Sequence, residues 1–175
     1  MPGGSAGMQG LPVTRGLAPA YALSLLVGAL IAVVSAGGLV LGATGLYGDA
    51  TDAAGVSAST AGILVPGFRA HDGVNLFVGL PLLLATVWLT RRGSLIGLLL
   101  WPGALFYVLY TYALYLTGAP FGPLFLAYVL LVVLSAYTTL MVVASVDGGA
   151  VGARIADGVP ARIAGGVLVL SLIHI

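Results

Sequence analysis

The chain has 175 residues, of which 60% are hydrophobic and only 6% are charged, and its formal net charge is +1. A soluble domain carries about 25% charged residues, so this chain cannot build a polar shell, and lipid is the solvent that fits it. The near-neutral charge excludes a nucleic-acid footprint. The absence of cysteine excludes disulfides, thiolate metal sites and iron–sulfur clusters.

The first half of the chain predicts two membrane spans, since a spanning helix needs about 20 mostly apolar residues. Residues 1–16 are Gly-rich and are predicted to form a disordered cytoplasmic N-terminus. The first span is predicted from about Ala18 to Leu46 and the second from Gly73 to Thr90. A polar loop, Asp49 to Asp72, separates them.

The second half predicts two further complete spans. They run from about Leu95 to Leu116 and from about Leu124 to Val146, and the turn Thr117 to Pro123 holds two prolines and two glycines between them. A polar loop follows, and Ile163 begins another apolar segment. We therefore predict an all-α, polytopic transmembrane helical bundle with four complete spans and a truncated fifth, in one transmembrane domain over residues 17–175.

The last apolar segment, residues 163–175, is too short to cross a hydrocarbon core of roughly 30 Å. Its end, Leu170 to Ile175, reads LSLIHI and matches the translation of CTG TCT CTT ATA CAC ATC, which looks like a tag left by a transposase-based sequencing library. We expect these six residues not to be native and the gene to be truncated. The alternative is a genuine short helix at the membrane interface.

The arginines predict the orientation, because cytoplasmic loops carry an excess of positive charge. With the N-terminus in the cytoplasm, Arg69 is the one arginine outside. The cytoplasmic ones are Arg15, Arg91, Arg92, Arg154 and Arg162. The predicted location is the bacterial cytoplasmic (inner) membrane.

The first candidate site is the stretch FRAHDGVN, from Phe68 to Asn75. One interpretation is a small outer site for an ion or polar ligand, formed by Arg69, His71, Asp72 and Asn75. The simpler interpretation, which we expect, makes Asp72 the N-cap of the second span. One His among scattered Asp residues has no metal-ligand spacing, so no metal is predicted.

The second candidate site is a face of the third span. At about 100° per residue, Tyr107, Tyr110, Thr111 and Tyr115 share one face, with Gly103 leaving room and Tyr112 pointing away. Tyr128 lies at similar depth in the fourth span. The face could line an outer-leaflet pocket, opening toward Asp72 and Asn75, for a quinone, lipid headgroup or small polar solute. Alternatively, these tyrosines form an aromatic belt and bond across helices.

Small residues along the first span allow close approach of another helix. They are Gly28, Ala32, Gly38 and Gly42. They could form a seam with a membrane-protein partner or a second copy of the chain, but packing within the bundle is the simpler use. No catalytic residue or cofactor is indicated.

Three segments resemble uncharacterised multi-pass inner-membrane proteins of bacteria. They are HDGVNLFVGLPLLL, WLTRRGSLIGLLLWPGALFYVLYTYALYLTGAPF and LFLAYVLLVVLSAYTTL, together reaching from about His71 to Ser145. The resemblance implies a helical membrane fold and adds no catalytic residue.

Two functional hypotheses follow. The first is a non-enzymatic protein, either a small-solute permeation unit or a structural subunit of a membrane assembly. The second is a membrane enzyme or a lipid- or quinone-binding module that uses the tyrosine pocket. A continuous polar path across the bilayer would favour permeation, and a blind outer pocket would favour the binding module.

Overall fold

The computed structural model of the chain describes residues 11–41, 58–118 and 123–158. Several predictions lie outside them: the N-terminal tail, the outer loop up to residue 57, Gly42 and everything after residue 158. The predicted fifth segment and the tag-like ending are therefore not among the described residues.

The helical elements of the described residues are α1 (Ala18–Leu41), α2 (Ala58–Val74), a π turn (Asn75–Gly79), α3 (Leu80–Arg91), α4 (Leu95–Gly118), α5 (Phe125–Ser145) and α6 (Gly148–Gly158). They form the four predicted spans in the predicted order, with two helical stretches where polar loops were predicted, at the start of α2 and in α6. No strand occurs among the described residues beyond an isolated bridge. The prediction of an all-α helical bundle is confirmed.

Four helices are long and apolar enough to cross a membrane, which fits an integral membrane protein. They cover Ala18–Val40, Pro66–Arg91, Leu95–Gly118 and Phe125–Ser145. The second begins at Pro66 and not at the predicted Gly73. The predicted span began only after Asp72, because a charge is unfavourable inside hydrocarbon. The helix includes Asp72, whose carboxylate is buried against another helix.

The second span is one continuous helix with a π turn inside it. Pro81 explains that turn, because it has no N–H with which to close an α turn on the Phe77 carbonyl. Leu80 instead donates its N–H to the Asn75 carbonyl, five residues back. The extra residue in the turn changes the direction in which Asp72 and Asn75 point relative to α3.

A tight turn joins α3 to α4. Gly93 has φ +80°, a left-handed conformation that suits glycine. The Gly93 and Ser94 N–H groups donate to the Thr90 and Leu89 carbonyls, at 2.9 and 3.0 Å, so the last carbonyls of α3 are satisfied. The turn holds the two helices antiparallel.

Close packing of α3 on α4 depends on another glycine. A Cβ at Gly97 would lie 2.6 Å from both the Leu89 Cβ and the Thr90 backbone N, so only glycine fits there without moving a helix. Small residues of α1 serve the same purpose. A Cβ at Gly28 would lie 3.2 Å from the Leu80 side chain, so this position packs within the bundle.

The bundle of residues 17–144 presents apolar side chains outward as well as inward. The buried core centres on Leu98, Trp101 and Leu105 of α4. Large apolar residues such as Phe77 and Leu126 are fully available to lipid. This arrangement is expected where the surrounding solvent is hydrocarbon.

The second compact unit contains residues 11–16 and 145–158. The Thr14 N–H donates to the Ser145 carbonyl at 2.8 Å, and the Asp147 N–H donates to the Pro12 carbonyl at 2.9 Å. These two bonds join the segment before α1 to the end of α5 and the residues after it. Asp147 also accepts the Ala150 N–H at 3.1 Å and begins α6.

Candidate functional site

Asp72 is a deeply buried carboxylate among the candidate residues. Its exposed fraction is 1%, and the Tyr115 hydroxyl donates to its Oδ1 at 3.0 Å and toward the Phe68 carbonyl at 2.9 Å. A buried carboxylate is costly and marks a candidate site within a membrane protein. Tyr115 on α4 therefore ties the carboxylate to a neighbouring helix.

The expectation that Asp72 is an N-cap is wrong. The helix begins at Ala58, so Asp72 lies about four turns inside it, where the N–H groups already have intrahelical partners. The sequence misled because a charge beside an apolar run usually marks the end of that run. Asp72 does accept a hydrogen bond, but the donor is the Tyr115 hydroxyl of another helix and not a backbone N–H at a helix start.

Asn75 lies one turn farther along the same face and begins the π turn. Its exposed fraction is 2%. The Tyr107 hydroxyl donates to its Oδ1 at 2.9 Å, whereas its Nδ2 has no hydrogen-bond partner among the described residues. Whichever way the amide is turned, one hydroxyl cannot satisfy both ends of it.

Gly79 allows Tyr107 to reach Asn75. A Cβ at Gly79 would lie 2.7 Å from the Tyr107 Cε1, closer than side chains approach. The absence of a side chain at Gly79 thus brings the tyrosine ring against the π turn. Gly79 is a positioning residue that the sequence pattern did not reveal.

Three tyrosine rings pack beside the carboxylate. The Tyr112 ring centroid lies 5.4 Å from that of Tyr115 and 6.0 Å from that of Tyr128. The Tyr115 and Tyr128 centroids are 5.1 Å apart. The Tyr112 hydroxyl also lies 3.1 Å from the Ser35 Oγ of α1. Within the part of the chain that the structure describes, the Tyr128 hydroxyl has no hydrogen-bond partner, although the residue is only 2% exposed.

These residues form what we call the tyrosine–aspartate cluster, at the Gly118 end of the bundle. Its members are Ser35, Asp72, Asn75, Tyr107, Thr111, Tyr112, Tyr115 and Tyr128. Thr111 is buried between Tyr107 and Tyr115 on α4. The structure therefore brings together six of the seven predicted residues and adds Ser35 and Tyr112.

Two predictions about the tyrosine face are wrong. Tyr110 is 59% exposed and lies outside the cluster, and Tyr112, expected to point away, is fully buried. Gly103 has open space around it rather than a neighbour. The face was inferred from the tyrosines alone, whereas the buried face of α4 follows Trp101, Ala104 and Val108 toward Tyr112 and Tyr115.

Buried polar groups near the Arg91 end have partners within the bundle. Thr86 donates to the Leu83 carbonyl at 2.8 Å and Thr90 to the Thr86 carbonyl at 2.7 Å, both within their own helix. Trp101 of α4 donates its Nε1 to the Ser24 Oγ of α1 at 2.9 Å.

The remaining polar residues of the first candidate stretch stand apart from the cluster. His71 is exposed, and Arg69 donates to the Leu39 carbonyl of α1 at 3.3 Å. Among the described residues, no group of three His, Cys, Asp or Glu side chains could hold a metal ion.

A comparison of the chain with protein-family models, curated proteins and solved structures returned no match. The tyrosine–aspartate cluster offers one buried carboxylate, two interhelical tyrosine bonds to Asp72 and Asn75, and two buried polar atoms that lack a partner among the described residues. Such a site can bind a polar group.

Proposed function

We propose that the protein is a non-catalytic binding module of the bacterial cytoplasmic membrane. Its tyrosine–aspartate cluster holds the oxygen-bearing head of an amphiphile, for which a quinone is the best fit. The observation that carries this proposal is a pair of buried atoms, Asn75 Nδ2 and Tyr128 Oη, that have no hydrogen-bond partner in residues 11–41, 58–118 and 123–158.

Unpartnered buried donors are unfavourable, at about 1–3 kcal/mol each. An amide N–H and a phenol O–H both donate, so the complementary ligand presents acceptor oxygens. A quinone has two carbonyl oxygens on an apolar ring. The outer surface beside Asn75 is apolar, with Phe77 and Val78 exposed, which suits entry of such a molecule from the lipid.

The permeation hypothesis has less support, because the two buried polar atoms that lack a partner among the described residues, Asn75 Nδ2 and Tyr128 Oη, both belong to the cluster at one end of the bundle. A structural subunit remains the second candidate. Its supporting observation is that Tyr115 and Tyr107 already join α4 to the helix of Asp72 and Asn75, and interhelical hydrogen bonds stabilise membrane bundles.

The test measures binding of a short-chain quinone to the purified protein in neutral-lipid nanodiscs. Tyr128→Phe removes the unpartnered hydroxyl, and we expect about tenfold weaker binding, as for one lost hydrogen bond. Tyr110→Phe is the matched control, since it removes the same atom from the same residue type outside the cluster, and it should bind normally.

The stability of the same variants separates the two candidates. Tyr128→Phe should be as stable as the wild type or more so, because it removes a buried group without a partner. Weaker binding with retained stability supports the binding module. If no quinone binds the wild type, the binding proposal fails and the structural subunit is preferred.

The orientation is part of the proposal and has its own test. The chain has no cysteine, so single cysteines report sidedness. Thr117→Cys and Gly148→Cys both lie at exposed positions. Labelling of position 117 and not 148 by an impermeant reagent on intact cells is expected, and the opposite pattern would reverse the orientation.

A further inference from the structure

Two arginines at the α3–α4 turn each lie over an aromatic ring. The Arg91 Cζ is 4.9 Å from the centroid of the Tyr21 ring of α1, and the Arg92 Cζ is 3.7 Å from that of Trp88. Both distances are within the range of a cation–π contact. The Tyr21 ring in turn stacks on Trp101 at 4.9 Å with 7° between the planes.

Stacking uses the face of a guanidinium and leaves its edge available. The five N–H donors lie in the plane of the group, where they match the geometry of phosphate oxygens. Within residues 11–41, 58–118 and 123–158, no carboxylate pairs with Arg91 or Arg92 and no acceptor receives their side-chain N–H groups. The rings therefore hold both arginines in place without neutralising them.

The position of Arg92 at the end of a membrane span indicates which kind of anion it binds. Arg91 is the last residue of the span Pro66–Arg91, so Arg92 lies where the helix leaves the hydrocarbon. Trp88, one turn earlier, is 51% exposed on a helix that is otherwise apolar toward lipid. Lipid phosphates lie at this depth, where Trp and Arg side chains are typical of the interface.

We propose that Arg92, held on Trp88 and assisted by Arg91, binds the phosphate of an anionic phospholipid. The acyl chains of that lipid lie along the apolar surface of α3 and cover Trp88. The turn makes the site rigid, because Gly93 and the satisfied carbonyls of Leu89 and Thr90 fix the direction in which Arg92 leaves the helix. The inference is independent of the quinone proposal.

Quenching of tryptophan fluorescence by brominated lipid tests the site. The chain has two tryptophans, and Trp101 is fully buried, so contact quenching by lipid reports Trp88. The purified protein is reconstituted into phosphatidylcholine vesicles with equal fractions of brominated phosphatidylglycerol or brominated phosphatidylcholine. We expect quenching to show about a fivefold preference for phosphatidylglycerol, as for one arginine near an anionic headgroup.

The decisive variant is Arg92→Lys. It keeps the charge but loses the flat, bidentate donor edge and the stacking, so the preference should fall to about twofold or less. Arg15→Gln is the matched control: it removes a whole charge from an arginine that contacts no ring among the described residues, and the preference should stay unchanged. The ratio of the two lipids cancels any change in the intrinsic emission of Trp88.

Three results would overturn the proposal. Equal quenching of the wild type by both lipids would show that no anionic site exists beside Trp88. An unchanged preference in Arg92→Lys, or an equal loss in Arg15→Gln, would show general electrostatic attraction. Loss of the preference when soluble glycerol phosphate is added would assign the site to a free phosphate ester instead of a lipid.

Discussion

The two ends of the bundle treat their buried polar groups in different ways. At the Arg91 end, Thr86 and Thr90 bond to carbonyls of their own helix, and Trp101 bonds to Ser24 of α1. At the Gly118 end, Tyr115, Tyr107 and Tyr112 reach other helices, and two polar atoms have no partner among the described residues. A buried polar group whose hydrogen bonds are all made within the bundle is compatible with close packing. Where interhelical bonding leaves donors unused, a ligand can bind to them.

The largest effect is expected where the packing at the Arg91 end is closest. Gly97→Ala places a Cβ 2.6 Å from the backbone N of Thr90, and backbone cannot move aside. We expect a loss of about 3 kcal/mol in the free energy of unfolding, at the upper end for overpacking, measured by steric trapping or by denaturation in mixed micelles. Gly103→Ala, in open space, is the control and should be neutral or slightly stabilising.

Gly79→Ala tests the same kind of contact at the other end. Its Cβ would meet the ring of Tyr107 at 2.7 Å, and a side chain can turn away at a smaller penalty than backbone. We expect about 1–2 kcal/mol of destabilisation together with loss of quinone binding, because Tyr107 leaves Asn75. If Gly79→Ala lowered the free energy of unfolding as much as Gly97→Ala does and still bound quinone normally, the expected difference between the two ends would be contradicted.

The hydrogen bond from Tyr115 to the Asp72 carboxylate should contribute more to the free energy of unfolding than the neutral bond between Tyr112 and Ser35. Tyr115→Phe removes a donor from Asp72, and bonds to charged groups contribute about 1.5–3 kcal/mol. Tyr112→Phe removes only the contact with Ser35, and neutral interhelical bonds in membranes average about 0.6 kcal/mol. Equal unfolding free energies for the two variants would argue that Asp72 is not ionised in the folded protein.

The smallest effect is expected for the locally bonded hydroxyls. Thr86→Val removes a bond of the helix to itself and keeps the branched shape, so the change should stay within about 0.5 kcal/mol. Its binding of quinone should equal that of the wild type. A loss of binding in Thr86→Val would show that the site extends to the Arg91 end, and the distinction between the two ends would fail.

The sequence by itself predicted the class of fold and the order of the spans. Length and apolar content define a membrane helix, because every backbone group must be satisfied within it. The charges of Arg91 and Arg92 marked the end of the second span, because charged side chains are costly inside hydrocarbon. These features need no knowledge of a partner helix, and the structure reproduces them.

Only the tertiary structure decided which faces meet. In a helix of a soluble protein, the apolar stripe shows which side is buried. Because α4 is apolar on all sides, the spacing of its apolar residues does not indicate its buried face. The tyrosines suggested a face with Tyr110 inside, whereas packing of Trp101 and Val108 against neighbouring helices buried Tyr112 instead. Asp72 looked like a helix end until Tyr115, 43 residues later in the chain, made its burial possible.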